Sequence, residues 1–165
     1  MFTAASRWCK ILSCETFKRC MSNITEAEQS RPFCRHGLEH ALDTARVMYI
    51  ICLEQQLQIP MDVIYAVGML HDIGRAIQYR TGEAHETAGT ETITQILVEC
   101  SYSNSEIAEI LDAIAGHNTQ NNGCSNYALG NLICLADHIV RPCFMCRMRT
   151  ACYWSESEKN TYLRY

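Results

Sequence analysis

Apolar residues return every three or four positions along most of the chain, and no convincing period-two alternation interrupts this helical period. Leu38, Ala41, Leu42, Ala45, Met48, Tyr49 and Cys52 trace one face, predicting an amphipathic helix that ends before Pro60. Gly37 is placed in its first turn, as a close approach and not a break. A second helix is expected from about Asp62 to Asp72 through Val63, Ile64, Ala66, Val67, Met69 and Leu70. It is apolar almost all round, which suits the centre of a bundle, and Gly74 is read as its stop. Residues 75–82 read as a loop. A third helix is expected from near Glu83 through Ile93, Ile96, Leu97 and Val98. Ser103 with Glu106 makes a capping-box pattern opening a fourth, over 107–116. The polar stretch 118–126 carries the turn Asn121-Asn122-Gly123. A fifth helix spans 127–140 and is stopped by Pro142, and residues 15–29 add one more. The expected fold is an all-α, single-domain helical bundle. It divides into an N-terminal helical extension (1–30), the bundle proper (31–142) and a cysteine-containing C-terminal extension (143–165) packing on it.

With 165 residues, the chain is long enough for one domain with a proper core. A formal charge of -4 and the lack of any basic block argue against nucleic acid as a partner. No stretch approaches the roughly 20 apolar residues of a membrane span. The first twenty residues are broken by Arg7, Lys10, Glu15, Lys18 and Arg19, so a secretory signal is not expected. Their Arg/Ser content fits a transit peptide, against which Glu15 argues mildly. Eleven cysteines, an odd number without such a signal, point to free thiols plus some metal-bound ones and to a soluble, cytoplasmic protein.

The candidate chemistry lies in an ordered series: His40, His71-Asp72, His85, His117 and Asp137. Four of the six histidines belong to it, each at or near the edge of an apolar segment. His40, His71, Asp72 and Asp137 come from three helices and offer two nitrogens and two oxygens. That donor set suits Fe, Mn, Co or Ni at least as well as Zn, and it leaves positions for water and substrate. His85 and His117 suggest a second ion, with Asp72 as the bridge; the bland alternative is a pair of helix-end histidines that only cap. Gly89, one turn after His85, is read as removing bulk beside it. Two such ions would hold a hydroxide between them and clamp both oxygens of a phosphoryl displacement.

His40, His71-Asp72 and Asp137 resemble the H…HD…D signature of the HD-domain metal-dependent phosphohydrolases, over roughly residues 35–141. The segments His85-Glu-Thr-Ala-Gly89, Ala113-Ile-Ala-Gly-His117-Asn and Leu135-Ala-Asp137-His-Ile-Val-Arg141 resemble the dinuclear subgroup, which includes the bacterial HD-type hydrolases of diadenosine tetraphosphate. Phe33-Cys-Arg-His-Gly-Leu-Glu-His40-Ala, with Cys-Phe-Met-Cys146 later, is similar to a group of small bacterial HD proteins. The resemblance implies a bundle around the metal centre, with His40, His71, Asp72 and Asp137 on one ion and His85 and His117 on the other. It leaves the substrate open. The Gly-Tyr-Pro triplet of the cyclic-dinucleotide phosphodiesterases of this superfamily is absent.

Arg75 and Arg141, three or four residues beyond a ligand, are candidates to grip phosphate oxygens; the alternative is an ordinary helix-end arginine. His36, one turn before His40, is a candidate substrate contact, although a solvated first-turn histidine is the plainer reading. His138 is expected to point elsewhere on its helix. No lysine is expected near the site, and no Walker A motif exists. Cys143-Phe-Met-Cys146, Cys152 and Cys34 form a second candidate site, for structural Zn or an iron–sulfur cluster. The alternative there is reduced thiols in an apolar nook. The remaining cysteines read as solitary.

The leading function is hydrolysis of a phosphate-containing small molecule, a nucleotide or related ester, by a metal-held hydroxide. Asp72 and Arg75 carry the chemistry, and no clear acid protonates the leaving group; His36 and Glu86 are weak candidates. A di-iron oxygenase is the enzymatic competitor, and a metal or redox sensor the non-enzymatic one. Oligomeric state is not legible.

Overall fold

A computed structural model of the chain describes residues 6–116 and 128–165. In order, its helices are α1 (Arg7–Ser13), α2 (Glu15–Ala27), α3 (Leu38–Glu54), α4 (Met61–Leu70), α5 (Arg75–Thr81), α6 (His85–Ala88), α7 (Thr90–Glu99), α8 (Asn104–Gly116) and α9 (Ala128–Ile139). Two 3-10 turns follow, Cys143–Met145 and Arg149–Ala151. The described residues hold no strand, and the fold is all-α.

The bundle is organised around α3 and α4, which share the most extensive helix contact. Ala45 meets Gly68, and further along His40 meets His71, so the two helices run antiparallel. A Cβ on Gly68 would lie 2.5 Å from the Ala45 Cα, so only glycine lets the two backbones come this close. As its all-round apolar sequence predicts, α4 buries Val63, Ile64, Ala66, Val67, Met69 and Leu70. α9 packs on α3, and α8 covers both α4 and α9. α1 and α2 extend the same core with Ile11, Phe17 and Ile24. Apolar burial at roughly 25 cal/mol per Å² is the main force holding these faces together.

Ser103 and Glu106 cap α8 reciprocally: the Ser103 backbone N–H donates to Glu106 at 2.8 Å, and Ser103 Oγ accepts from the Glu106 N–H at 3.4 Å. Arg7 then grips Glu106 through both terminal nitrogens at 2.8 Å, fastening α1 to the start of α8. The C-terminal segment is fastened in a different way. Asn160 Nδ2 donates to the carbonyls of His138 at 2.8 Å and Arg141 at 2.9 Å, closing the end of α9.

Several expectations need correction. Residues 75–81 are helical, not a loop. Gly74 has right-handed helical angles, so the turn after α4 leads straight into α5, and the real stop is Gly82 at φ +80°. Gly37 is the residue before α3, outside its first turn. The expected third helix begins at His85 and is split at Gly89 into α6 and α7. Gly89 makes room for Gly74, not for the His85 ring: a Cβ on Gly89 would lie 2.9 Å from the Gly74 Cα. Cys134, read as solitary, is disulfide-bonded. The other cysteines among the described residues are free.

Candidate metal centre

Three helix ends converge. His40 sits in the first turn of α3, His71 and Asp72 follow the last residue of α4, and Asp137 lies near the end of α9. His40 Nε2 is 3.5 Å from Asp72 Oδ2 and 2.9 Å from Asp137 Oδ1. His71 Nε2 is 3.0 Å from Asp72 Oδ2 and 3.8 Å from Asp137 Oδ1. His40, His71 and Asp72 each offer one ligand atom within 4.8 Å of the others, and together they could hold a metal ion. His71 and Asp72 are buried, whereas Asp137 is 30% exposed and faces the cavity.

The donor chemistry fits a cation. His71 Nδ1 lies 2.8 Å from the Gly68 carbonyl oxygen, which makes Nδ1 the protonated nitrogen and turns the Nε2 lone pair toward Asp72. Asp72 Oδ2 is buried and accepts no well-aligned hydrogen bond among the described residues. His71 Nε2 and Asp72 Oδ2 stand 3.0 Å apart, where a cation would be held by both. Arg141 adds to this: its Nη2 stands 2.9 Å from His40 Nε2 and 3.0 Å from Asp137 Oδ1, so these acceptors already draw positive charge.

Burial alone would push the Asp72 carboxyl up. The charge on His71, the nearby His40 and the Arg75 guanidinium outweigh it and hold Asp72 well below the usual carboxylate range. Asp137 is likewise lowered, burial being overcome by His40, Arg141 and His71. For His71 burial works against the charged form, but Asp72 prevails and raises its pKa.

On the other side of Asp72, Oδ1 receives the Arg75 Nε–H at 2.6 Å and lies 3.6 Å from His85 Nε2. His85 is thus brought to the same carboxylate. His117 lies outside the described residues, as do the stretch 118–126 and Tyr127.

A cavity of about 510 Å³ opens beside this group. Arg75, Arg141, His36, His85 and Asp137 all line it. Arg31, Arg149 and Lys159 add positive charge to its wall, against Glu86 and Glu158. A cationic wall in a chain of net charge -4 supplies local attraction for an anion that the overall sign denies. Lys159, at the cavity wall, contradicts the expectation of no lysine nearby; it is buried and paired with Glu156 at 2.7 Å. His138 also lines the cavity, stacked on Trp154 at 4.8 Å between ring centroids, because the C-terminal segment folds back over α9.

His36 is not a solvated histidine. It is 5% exposed, precedes α3 and packs edge-on against His40 with centroids 5.9 Å apart. Its Nδ1 contacts the buried Glu28 carboxylate, which also accepts the His36 backbone N–H at 2.6 Å and the Tyr79 hydroxyl. Burial pushes Glu28 up, but the hydrogen bonds from His36 and Tyr79 bring it down to about 2. Burial lowers the pKa of His36 despite Glu28. Sequence reasoning missed Glu28 and Tyr79: they lie 8 and 43 residues from His36, at the C-terminal cap of α2 and on α5, with no motif linking them.

Residues 37–141 match the model of the HD domain. A protein of Clostridium beijerinckii (strain ATCC 51743 / NCIMB 8052), named "Uncharacterized protein", is 36% identical over 138 residues, which is 84% of this chain and 85% of its own length. The 1.45 Å crystal structure of a "predicted HD superfamily hydrolase" from an uncultured Thermotogales bacterium superposes with a TM-score of 0.60 at 20% identity. The likeness covers 86% of this chain and 80% of that one, and it is a likeness of fold. With convergent histidines and aspartates on this bundle and a family match spanning most of its length, the chain belongs to the HD-domain family.

Proposed function

We propose that the chain is a metal-dependent phosphohydrolase acting on a nucleotide or related phosphate ester. The convergence of His40, His71, Asp72 and Asp137 beside a cationic cavity carries this reading. These four side chains hold one divalent ion, of the Fe, Mn, Co or Ni class. His85, 3.6 Å from Asp72 Oδ1, with His117 is the candidate set for a second. Metal bound there supplies Lewis acidity, acidifying water and drawing charge from phosphoryl oxygens.

The chain's own residues supply the rest. Arg75 and Arg141 bind phosphate oxygens, their planar forks already oriented by Asp72 and Asp137. His36, kept neutral by its burial, takes a proton at Nε2 from water in the cavity and passes it on to the leaving group. Glu28 holds its Nδ1–H, leaving Nε2 as the nitrogen that can exchange a proton with the cavity. A cavity of about 510 Å³ lies within the range typical of small-molecule sites, roughly 300–1,000 Å³.

The test is turnover of a panel of nucleotides and phosphomonoesters by protein loaded in turn with Mn, Fe, Co or Ni. Phosphate release with at least one substrate, abolished in Asp72→Ala, is expected. No release with any metal, or undiminished release in Asp72→Ala, refutes the proposal. Oxygen-dependent product formation would favour the oxygenase class instead.

A further inference from the structure

Four free thiols stand at the wall of the cavity that the histidines also line. Cys34 lies on the loop before α3, Cys143 opens one 3-10 turn, Cys146 closes it, and Cys152 follows the other. All four line the same cavity, and none is in a disulfide. Cys34 is 109 or more residues from the rest along the chain, so folding, not local sequence, assembles them. The turns that present them are held by their own backbone. The Cys146 N–H donates to the Cys143 carbonyl at 3.3 Å, and the Arg149 N–H to the Cys146 carbonyl at 3.1 Å. Arg149 Nη1 also donates to the Cys143 carbonyl at 3.3 Å.

Cys143, Cys146 and Cys152 each lie in electrostatic reach of the Cys34 sulfur. Burial pushes the Cys34 thiol up; the charge of Arg141 draws it down, and Cys143, Cys146 and Cys152 push it further up. Four thiolates gathered without a cation would repel, and Arg141 and Arg149 offset only part of that charge. A metal centre binds thiols in their deprotonated form, and its positive charge offsets the repulsion among the four.

Spacing selects the kind of centre. A tetrahedral ion with metal–sulfur bonds of ~2.3 Å holds its thiolates only about 3.8 Å apart. Among the described residues, only His40, His71 and Asp72 bring three ligand atoms within 4.8 Å of one another. No three of these four sulfurs are therefore that close. That spacing is wider than a single tetrahedral ion requires, and an iron–sulfur cluster, whose own sulfides separate the irons, is the centre that takes a wider set of thiolates.

We infer that Cys34, Cys143, Cys146 and Cys152 bind an iron–sulfur cluster that joins the C-terminal segment to the loop before α3 and forms one wall of the cavity. The inference stands on these four residues and does not depend on phosphohydrolase activity.

The experiment is anaerobic purification of the full chain, reconstitution with ferrous iron and sulfide, and assay of iron, zinc and acid-labile sulfide. Sulfide is the decisive analyte, because iron held by histidine and aspartate brings none. Wild type is expected to hold two to about four irons and as many sulfides per chain, with broad visible absorption bleached by dithionite. Cys146→Ser and Cys152→Ser are expected to lose most of the sulfide, whereas Cys9→Ser and Asp72→Ala keep it. Wild type without sulfide after reconstitution overturns the inference, as does tight zinc at the thiols or sulfide retained in both cysteine variants. If either cysteine variant fails to fold by circular dichroism, the wild-type sulfide assay and its Mössbauer spectrum still decide.

Discussion

The backbone of Gly74 lies directly against the carbonyl of His85: a Cβ on Gly74 would sit 1.9 Å from that oxygen. The obstacle is backbone, not a flexible side chain. Gly74 follows Asp72 by two residues, and His85 opens α6, so this contact holds the second candidate metal ligand beside the first group.

Gly74→Ala is expected to destabilise the chain by about 2–3 kcal/mol, at the upper end of overpacking costs, since neither α5 nor α6 can yield without moving His85. Urea denaturation measures this. A change below about 0.5 kcal/mol would show that the two segments part easily.

Glu28 predicts a stability limb in acid. Its carboxyl is lowered from the ordinary 4.5 to about 2, so the ionised form is favoured by folding. Its contribution is complete above pH ~4.5 and is lost as pH falls from there through ~2, amounting to about 3 kcal/mol. Glu28→Gln keeps the shape and removes the charge, and is expected to lower stability at neutral pH and flatten that limb. Parallel acid limbs in wild type and variant would rule it out.

Asn160→Ala tests the fastening of the tail. Losing the amide removes its bonds to the His138 and Arg141 carbonyls, which keep the backbone N–H groups of Arg141 and Cys143, at a cost of about 0.5–1.5 kcal/mol for each bond lost. Limited proteolysis should cut the C-terminal segment faster in the variant while the bundle survives. Identical cleavage patterns would show that Asn160 is not what holds it.

Arg7→Ala provides a contrast. Arg7 and Glu106 are joined by two bonds of 2.8 Å, but their side chains are 27% and 24% exposed. The expected loss is about 1 kcal/mol or less and shrinks in high salt. A loss of several kcal/mol, insensitive to salt, would mean that α1 is a structural keystone.

What the sequence revealed and what it hid have separate physical origins. The period of Leu38 to Cys52 and the uniform apolarity of Val63 to Leu70 report burial directly, so α3 and α4 are legible. The Ser103–Glu106 box reports a local cap and is legible for the same reason. α5 was not, because it buries no residue fully and Arg75, Gln78 and Arg80 read as polar loop. The break at Gly89 was missed because its cause is Gly74, fifteen residues earlier and visible only in three dimensions. His40, His71, Asp72 and Asp137 could be chosen by residue type and order. Glu28 could not, since its importance arises only where α2, α5 and the loop before α3 meet around His36.

The most direct measurement is a crystal soaked in Mn²⁺ and recorded at the manganese absorption edge. One anomalous peak is expected about 2.0–2.3 Å from the Nε2 atoms of His40 and His71 and from carboxylate oxygens of Asp72 and Asp137. The same peak should be missing in Asp72→Ala. Saturating Mn²⁺ that leaves this position empty in the wild-type crystal would contradict the account.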